Sequence, residues 1–165
     1  MEIQTNCNVK RKCASYTVDT KSKSGFSMSN NKTAVVIESS FHVRYAETDA
    51  MAVVHHAAYL VYFEEARSHY MRELGSDYAH MERDGFRLPV TEVSLRYVGS
   101  LRYGDRVLVR VWVAQNKSRR IDFAYEVRNA EDDAILVTGT TQHIWTDHSG
   151  KVTRAPKQWL QMMSA

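Results

Sequence analysis

The chain has 165 residues, 44% of them hydrophobic and 25% charged, enough for one domain with a real core and too few for two. Its formal charge of +3 is uneven: residues 1–38 hold six Lys/Arg against three Asp/Glu, while the remainder balances sixteen against sixteen. A near-neutral domain lacks the concentrated basic stripe that nucleic acid requires, so no nucleic-acid partner is expected.

Residues 1 to about 36 are rich in Asn, Ser, Thr and Lys and show no sustained periodicity, which predicts a disordered or loosely attached polar tail ahead of a domain at 37–165. Both cysteines, Cys7 and Cys13, fall in that tail, so neither a disulfide framework nor a cysteine metal site is on offer. No run approaches the ~20 apolar residues of a membrane span, and the N-terminus lacks the apolar core of a secretory signal. A cytoplasmic protein with no membrane partner is expected; the Lys- and Ser-bearing tail keeps an organelle transit peptide as the alternative.

Phe41, Val43 and Tyr45 alternate with His42 and Arg44, the period of a half-buried strand over 40–46 that delivers the chain to Asp49. A helix follows at about 57–74, with Tyr59, Tyr62, Phe63, Ala66, Tyr70 and Leu74 at spacings of three and four and Gly75 to end it. Its first two turns, Ala57 to Phe63, are apolar nearly all round, as expected of a helix enclosed on most sides. A shorter helix is read from Asp77 to about Arg83. Four strands are then expected in succession: Arg87–Tyr97, Asp105–Ala114, Arg120–Arg128 and Ala134–Thr146, with turns at Gln115–Arg119 and Asn129–Asp133. Strand, helix and four-strand meander together make an α+β domain, with one long helix on one face of an antiparallel sheet.

The pattern Tyr45-x-x-Thr48-Asp49, then Val53-Val54, His56, Tyr59 and Glu64-x-Ala66-Arg67, resembles the hotdog-fold acyl-CoA thioesterases of the 4-hydroxybenzoyl-CoA thioesterase type, over about residues 40–160. The resemblance implies a sheet wrapped round a central helix, a homodimer or homotetramer built by joining sheets edge to edge, and an active site near the subunit interface. It implies that Asp49 is the catalytic carboxylate and that the backbone N–H of His56 polarises the thioester carbonyl. The substrate it implies is an acyl-CoA, with acyl carrier protein as the other carrier. Where the family often has Gly this chain has Ala52, and where it frequently has Asn this chain has Ala58, departures read as shaping the acyl pocket.

The residues support that chemistry on their own terms. A thiolate leaves readily, so the protein must supply a nucleophile or base and a place for the developing oxyanion. Asp49, set among Ala50, Met51, Ala52 and Val53, is expected to be poorly hydrated and able to attack the carbonyl or to deprotonate water. The alternative is an ordinary helix N-cap. Free N–H groups at a helix start favour an oxyanion. Tyr45, His55 and Tyr59 are candidates to line the substrate, against the plainer reading of Tyr45 as core. Lys117, Ser118, Arg119 and Arg120 are candidates for the coenzyme A phosphates, against a solvated turn. Adjacent His55 and His56 diverge on a helix and have no His or Cys partner at ligand spacing, so neither a metal nor another cofactor is expected. Glu64 and Glu65 are read as a solvated helix face. A hydratase or dehydratase using a histidine side chain, and a non-catalytic acyl-CoA-binding domain, remain as rivals.

Overall fold

The computed structural model describes residues 34–163, so both cysteines and nearly all of the expected tail lie outside the described residues. In chain order the elements are β1 (Ile37–His42), a 3-10 turn (Tyr45–Glu47), α1 (Ala58–Glu73), α2 (Tyr78–Arg83), β2 (Phe86–Arg87), β3 (Val90–Tyr97), β4 (Arg106–Asn116), β5 (Arg120–Asn129), β6 (Ile135–Ile144), β7 (Thr146–Asp147) and α3 (Lys157–Met162). Five strands form one antiparallel sheet in the order β1-β4-β5-β6-β3, and β2 pairs with β7 in a small ribbon.

The hairpins β4–β5 and β5–β6 lie where the turn residues predict them. The expected four-strand meander is a three-strand one. β3 does not adjoin β4 but crosses to the far edge, pairing with β6 through Val93↔Thr141 and Tyr97↔Val137, and β1 takes the place beside β4 through Ile37↔Val111 and His42↔Arg106. Burial explains the order. β5 is buried along most of its length on both faces, as a central strand is, whereas β3 is exposed at nearly every position, as an edge is. The strand expected at Arg87–Tyr97 is also split, because Pro89 lacks an N–H for the ladder.

α1 buries Tyr59, Tyr62, Phe63, Ala66, Tyr70 and Met71 against the sheet. It ends in a Schellman motif: Gly75 N–H donates to Arg72 O at 2.9 Å and Ser76 N–H to Met71 O at 3.1 Å, with Gly75 at φ 87°. Leu60 and Val61 are 40% and 52% exposed, so within one chain the first turns of α1 are not enclosed as their composition led us to expect. The helix runs antiparallel to β3. Tyr59 meets the Tyr97 ring at 5.6 Å, Phe63 lies over Gly139 and Ser94, and Arg67 and Ser68 share a cavity wall with Leu88 and Pro89.

At Gly139 the sheet has no room for a side chain beneath the helix. A Cβ there would sit 2.6 Å from Phe63 Cε2 and 2.7 Å from Ser94 O, while the Phe63 ring is already stacked on Tyr125 with centroids 4.1 Å apart. Gly139→Ala is therefore expected to destabilise the fold by ~1–3 kcal/mol, read as a lowered urea midpoint with unchanged slope.

α3, a helix not expected from the sequence, packs Trp159 into the core and ties its indole N–H to Asp84 at 3.3 Å. A buried polar chain also crosses the core. Arg67 Nη1 donates to Tyr125 Oη at 3.4 Å, Tyr125 and Thr141 share a bond of 2.8 Å, Thr141 meets His143 Nε2 at 2.8 Å, and His143 Nδ1 faces Leu88 O at 3.0 Å. Burial first, with the Arg67 charge adding to it, takes His143 down to about 4, outweighing the Leu88 carbonyl and Asp122, which act in the opposite direction. An unfolded histidine titrates near ~6.5, so the unfolded chain gains its proton first as pH falls. Stability is intact above pH ~6.5 and falls between there and about 4, by roughly 3 kcal/mol at the limit. Urea midpoints at pH 7.5, 6 and 4.5 should show this slope, and His143→Gln should flatten it.

Candidate active site

Between the 3-10 turn and α1 the chain folds back on itself as a small hairpin with Asp49 at its tip. Asp49 N–H donates to Val53 O and Ala52 N–H to Asp49 O, both at 2.9 Å, and Thr48 pairs with Val54 as an isolated bridge. Glu47 O accepts from His55 N–H at 2.8 Å and closes the base of the loop. Three neighbours then pin it. Leu101 O accepts from Val54 N–H at 2.8 Å, Tyr97 Oη donates to His56 O at 3.1 Å, and Glu47 takes a hydrogen bond from Tyr62 Oη at 2.9 Å.

Asp49 is half-buried. Its Oδ1 accepts from Met51 N–H at 2.8 Å, which fixes the side chain, and Oδ2 takes no hydrogen bond from the described residues. It is not the N-cap of α1: that place belongs to Ala57, which makes no side-chain capping bond. The apolar neighbours do not shield the acid as expected, because Met51 is 77% exposed and Ala50 and Ala52 are exposed as well. Within one chain the carboxylate is held but not enclosed.

Ala52 adopts φ 59°, the left-handed region that L side chains enter at a cost of ~1–2 kcal/mol. Ala52→Gly relieves this strain against a small entropic cost and is expected to stabilise the protein by about 0.5–1 kcal/mol, measurable as a raised urea midpoint.

His56 brings the other half of the arrangement. Its backbone N–H has no acceptor among the described residues and stands exposed just ahead of the 16-residue α1, where the helix dipole is positive. In the hairpin register His56 lies three residue steps beyond the Asp49–Val53 pair, roughly 10 Å at ~3.3 Å per residue, a gap that a thioester group and the Asp49 side chain can span. His55 serves the helix start directly: its Nδ1 accepts from Ala57 N–H at 3.3 Å, and its ring lies 4.1 Å from that of His56. No cluster of three metal-ligating side chains occurs among the described residues.

The other expected site residues are dispersed. Tyr45 is not on a strand, because β1 ends at His42; it sits in the 3-10 turn, 78% exposed and edge-on to Tyr103 at 5.7 Å. Tyr59 is 2% exposed, enclosed by the rings of Tyr62 and Tyr97. Lys117 to Arg120 form the β4–β5 turn at the far end of β4 from the Asp49 hairpin, roughly 33 Å away along ten residues of strand. There Arg120 is forked onto Asp122 at 2.7 and 2.6 Å, and the Ser118 and Arg119 carbonyls accept from Ala155 and Trp145 N–H at 2.7 and 3.0 Å.

Two residues that fix the loop were not anticipated. Glu47 is one: burial opposes its charge, yet hydrogen bonds from the Arg44 side chain and backbone and from Tyr62 hold its carboxyl below the ordinary range. The Arg44-x-x-Glu47 spacing of a capping pair was its signal. Tyr97 is the other, and only the crossing of β3 to the far edge brings it to His56.

A model of the Thioesterase-like superfamily matches residues 43–163, almost the whole described domain. A Bacillus subtilis protein assigned by name as an acyl-CoA thioesterase is 33% identical over 112 residues, covering 68% of this chain and 80% of that one. The 1,4-dihydroxy-2-naphthoyl-CoA hydrolase of Thermosynechococcus vestitus is 30% identical over 103 residues, 62% of this chain and 70% of that one. The solved DHNA-CoA thioesterase of Staphylococcus aureus superposes with a TM-score of 0.74 at 34% identity, covering 78% of this chain and 89% of that one. The family thus matches at the level of the superfamily, and these neighbours do not single out the 4-hydroxybenzoyl-CoA type. With the helix laid on an antiparallel sheet and the Asp49 loop at its start, the chain belongs to the Thioesterase-like superfamily and is a thioester hydrolase of the hotdog fold.

Proposed function

We propose that the protein hydrolyses an acyl-CoA to the free acid and coenzyme A, with Asp49 as its carboxylate and the His56 N–H as the donor to the thioester oxygen. The observation that carries this reading is the unpartnered His56 amide at the start of α1, beside a loop whose bonds leave Asp49 one free oxygen. As nucleophile, Asp49 Oδ2 forms a bond to the carbonyl carbon, the oxyanion is held by His56 N–H, and the C–S bond breaks to release the thiolate. Water then cleaves the mixed anhydride and restores the carboxylate. As general base, Asp49 takes the proton of a water that attacks the same carbon. His55 is occupied as an acceptor by Ala57 N–H, which favours hydrolysis over a reaction needing a free imidazole base.

The working unit in this reading is a dimer joined at β3. That edge strand has no ladder partner on its outer side among the described residues, and Val90, Val93 and Tyr97 along it and Val98 just beyond it are 47%, 40%, 46% and 58% exposed. Because α1 runs antiparallel to β3, a two-fold axis near the middle of β3 sets the start of α1 in one copy beside the Glu64–Ser68 stretch of the other. It also brings the second copy's β4–β5 turn toward the same end, which is how Lys117 and Arg119 would come within reach of the coenzyme A phosphates. The second copy supplies the cover that Leu60, Val61 and Asp49 lack.

The test is thiol release from aliphatic and aromatic acyl-CoAs by wild type and by Asp49→Asn. Turnover by wild type that is lost in the variant supports the proposal. Binding without turnover would make this an acyl-CoA-binding domain, and hydration of an enoyl-CoA without thiol release, lost in His55→Ala but kept in Asp49→Asn, would make it a hydratase.

A further inference from the structure

Along the second half of α1 lies a cavity of about 670 Å³ that the hydrolytic step of one chain does not use, walled by Arg67, Tyr78, Leu88, Pro89 and Ile144. Its volume falls within the ~300–1,000 Å³ of small-molecule sites. Arg67 Nη2 donates to no acceptor among the described residues, while Arg67 Nε and Tyr78 Oη are sealed from solvent and out of a ligand's reach. The Tyr78 ring lies under the guanidinium, its centroid 5.8 Å from Arg67 Cζ, a cation–π contact.

The buried polar chain fixes the direction of every bond leading to Arg67. Leu88 O can only accept, so His143 Nδ1 carries the proton, and in the neutral ring Nε2 accepts from Thr141. Thr141 then accepts from Tyr125, and the Tyr125 oxygen accepts from Arg67. All the hydrogen bonds run one way, no member carries a negative charge, and Arg67 makes no ion pair with a carboxylate among the described residues. A largely buried guanidinium without a counter-ion is costly. Glu64 and Glu82 also line the cavity, but both are exposed, as is Arg87 beside them, so water screens these charges.

We propose that this cavity binds the carboxylate of a small organic acid, which accepts from Arg67 Nη2 while Leu88, Pro89 and Ile144 hold its apolar part. The carboxylate has two possible sources. It is the far end of a dicarboxylic acyl group if the two-fold arrangement above holds, since the cavity then faces the Asp49 of the second copy; only this source rests on the proposed function. A free acid needs neither the dimer nor catalysis.

The experiment is calorimetric titration of the intact protein with benzoate and with glutarate, each against its amide, together with hydrolysis of glutaryl-CoA against valeryl-CoA. At least one acid is expected to bind wild type, with its amide and the Arg67→Gln variant each weaker by about tenfold or more. A preference for glutaryl-CoA in kcat/KM that disappears in Arg67→Gln assigns the carboxylate to the substrate; acid binding without that preference assigns it to a free acid. Acid binding by a protein that hydrolyses no thioester would overturn the catalytic reading and leave this site standing. The site is refuted if neither acid binds wild type at ~10 mM, if an amide binds as well as its acid, or if Arg67→Gln binds unchanged. Should that variant fail to fold, the cavity-filling Leu88→Trp leaves the buried chain intact and must weaken acid binding; unchanged binding refutes the site equally.

Discussion

Asp49→Asn is expected to lower acyl-CoA turnover by about 10²–10⁴-fold, the range for removing a positioned acid or base, while leaving the fold and the thioester's binding nearly as they were. The geometry gives the reason for that split. Only Oδ1 has a structural duty, accepting from Met51 N–H at 2.8 Å, and an asparagine carbonyl oxygen can take over that bond. What is lost is the charge and the lone pair on the other oxygen, which asparagine replaces with an amide donor. The His56 N–H remains at the start of α1, so in the proposed mechanism the carbonyl is still bound and polarised, and the loss is expected in kcat more than in KM. Measuring both constants for wild type and variant checks this. An equal rise in KM with kcat preserved would place Asp49 in binding instead of chemistry.

Val93→Lys is expected to separate the proposed dimer into 19.0 kDa monomers. Val93 stands mid-way along β3, 40% exposed on a strand whose outer edge has no partner among the described residues. Near a two-fold axis one substitution places two ammonium groups face to face, and like charges so placed cost several kcal/mol, or roughly a 10²–10³-fold weaker association. Sedimentation velocity reads the mass. Activity should fall with the dimer, because Asp49 in a lone chain has exposed Met51, Ala50 and Ala52 around it and nothing to exclude water from the carbonyl. A variant that remains dimeric moves the interface elsewhere, with β1 as the other edge of the sheet among the described residues.

Local periodicity carried most of the fold. The α1 stripe from Tyr59 to Tyr70 is buried as its spacing requires, Gly75 ends the helix in the left-handed region, and Val107, Val109 and Val111 share the inner face of β4 at 0% exposure. Strand order was not legible, because alternation states which face of a strand is buried and says nothing about its neighbour; β3 therefore read as a partner of β4 although it lies at the opposite edge. Tyr45 failed for a related reason. The alternation that predicted a strand through residue 45 breaks at Arg44, whose side chain and N–H turn to Glu47 and start the 3-10 turn.

The candidate site divides in the same way. Sequence by itself singled out Asp49, the start of α1 and the resemblance in the Thr48-Asp49 and Glu64-x-Ala66-Arg67 blocks, since those depend on residue type and short spacing along one stretch of chain. Only the tertiary structure decided that Asp49 does not cap the helix, that Tyr97 and Leu101 hold its loop, that Lys117 to Arg120 lie at the other end of the sheet, and that Arg67 stands uncompensated beside a cavity. Those relations join residues tens of positions apart through strand order and burial, and pairing across a sheet leaves no periodic mark on the residues that take part in it.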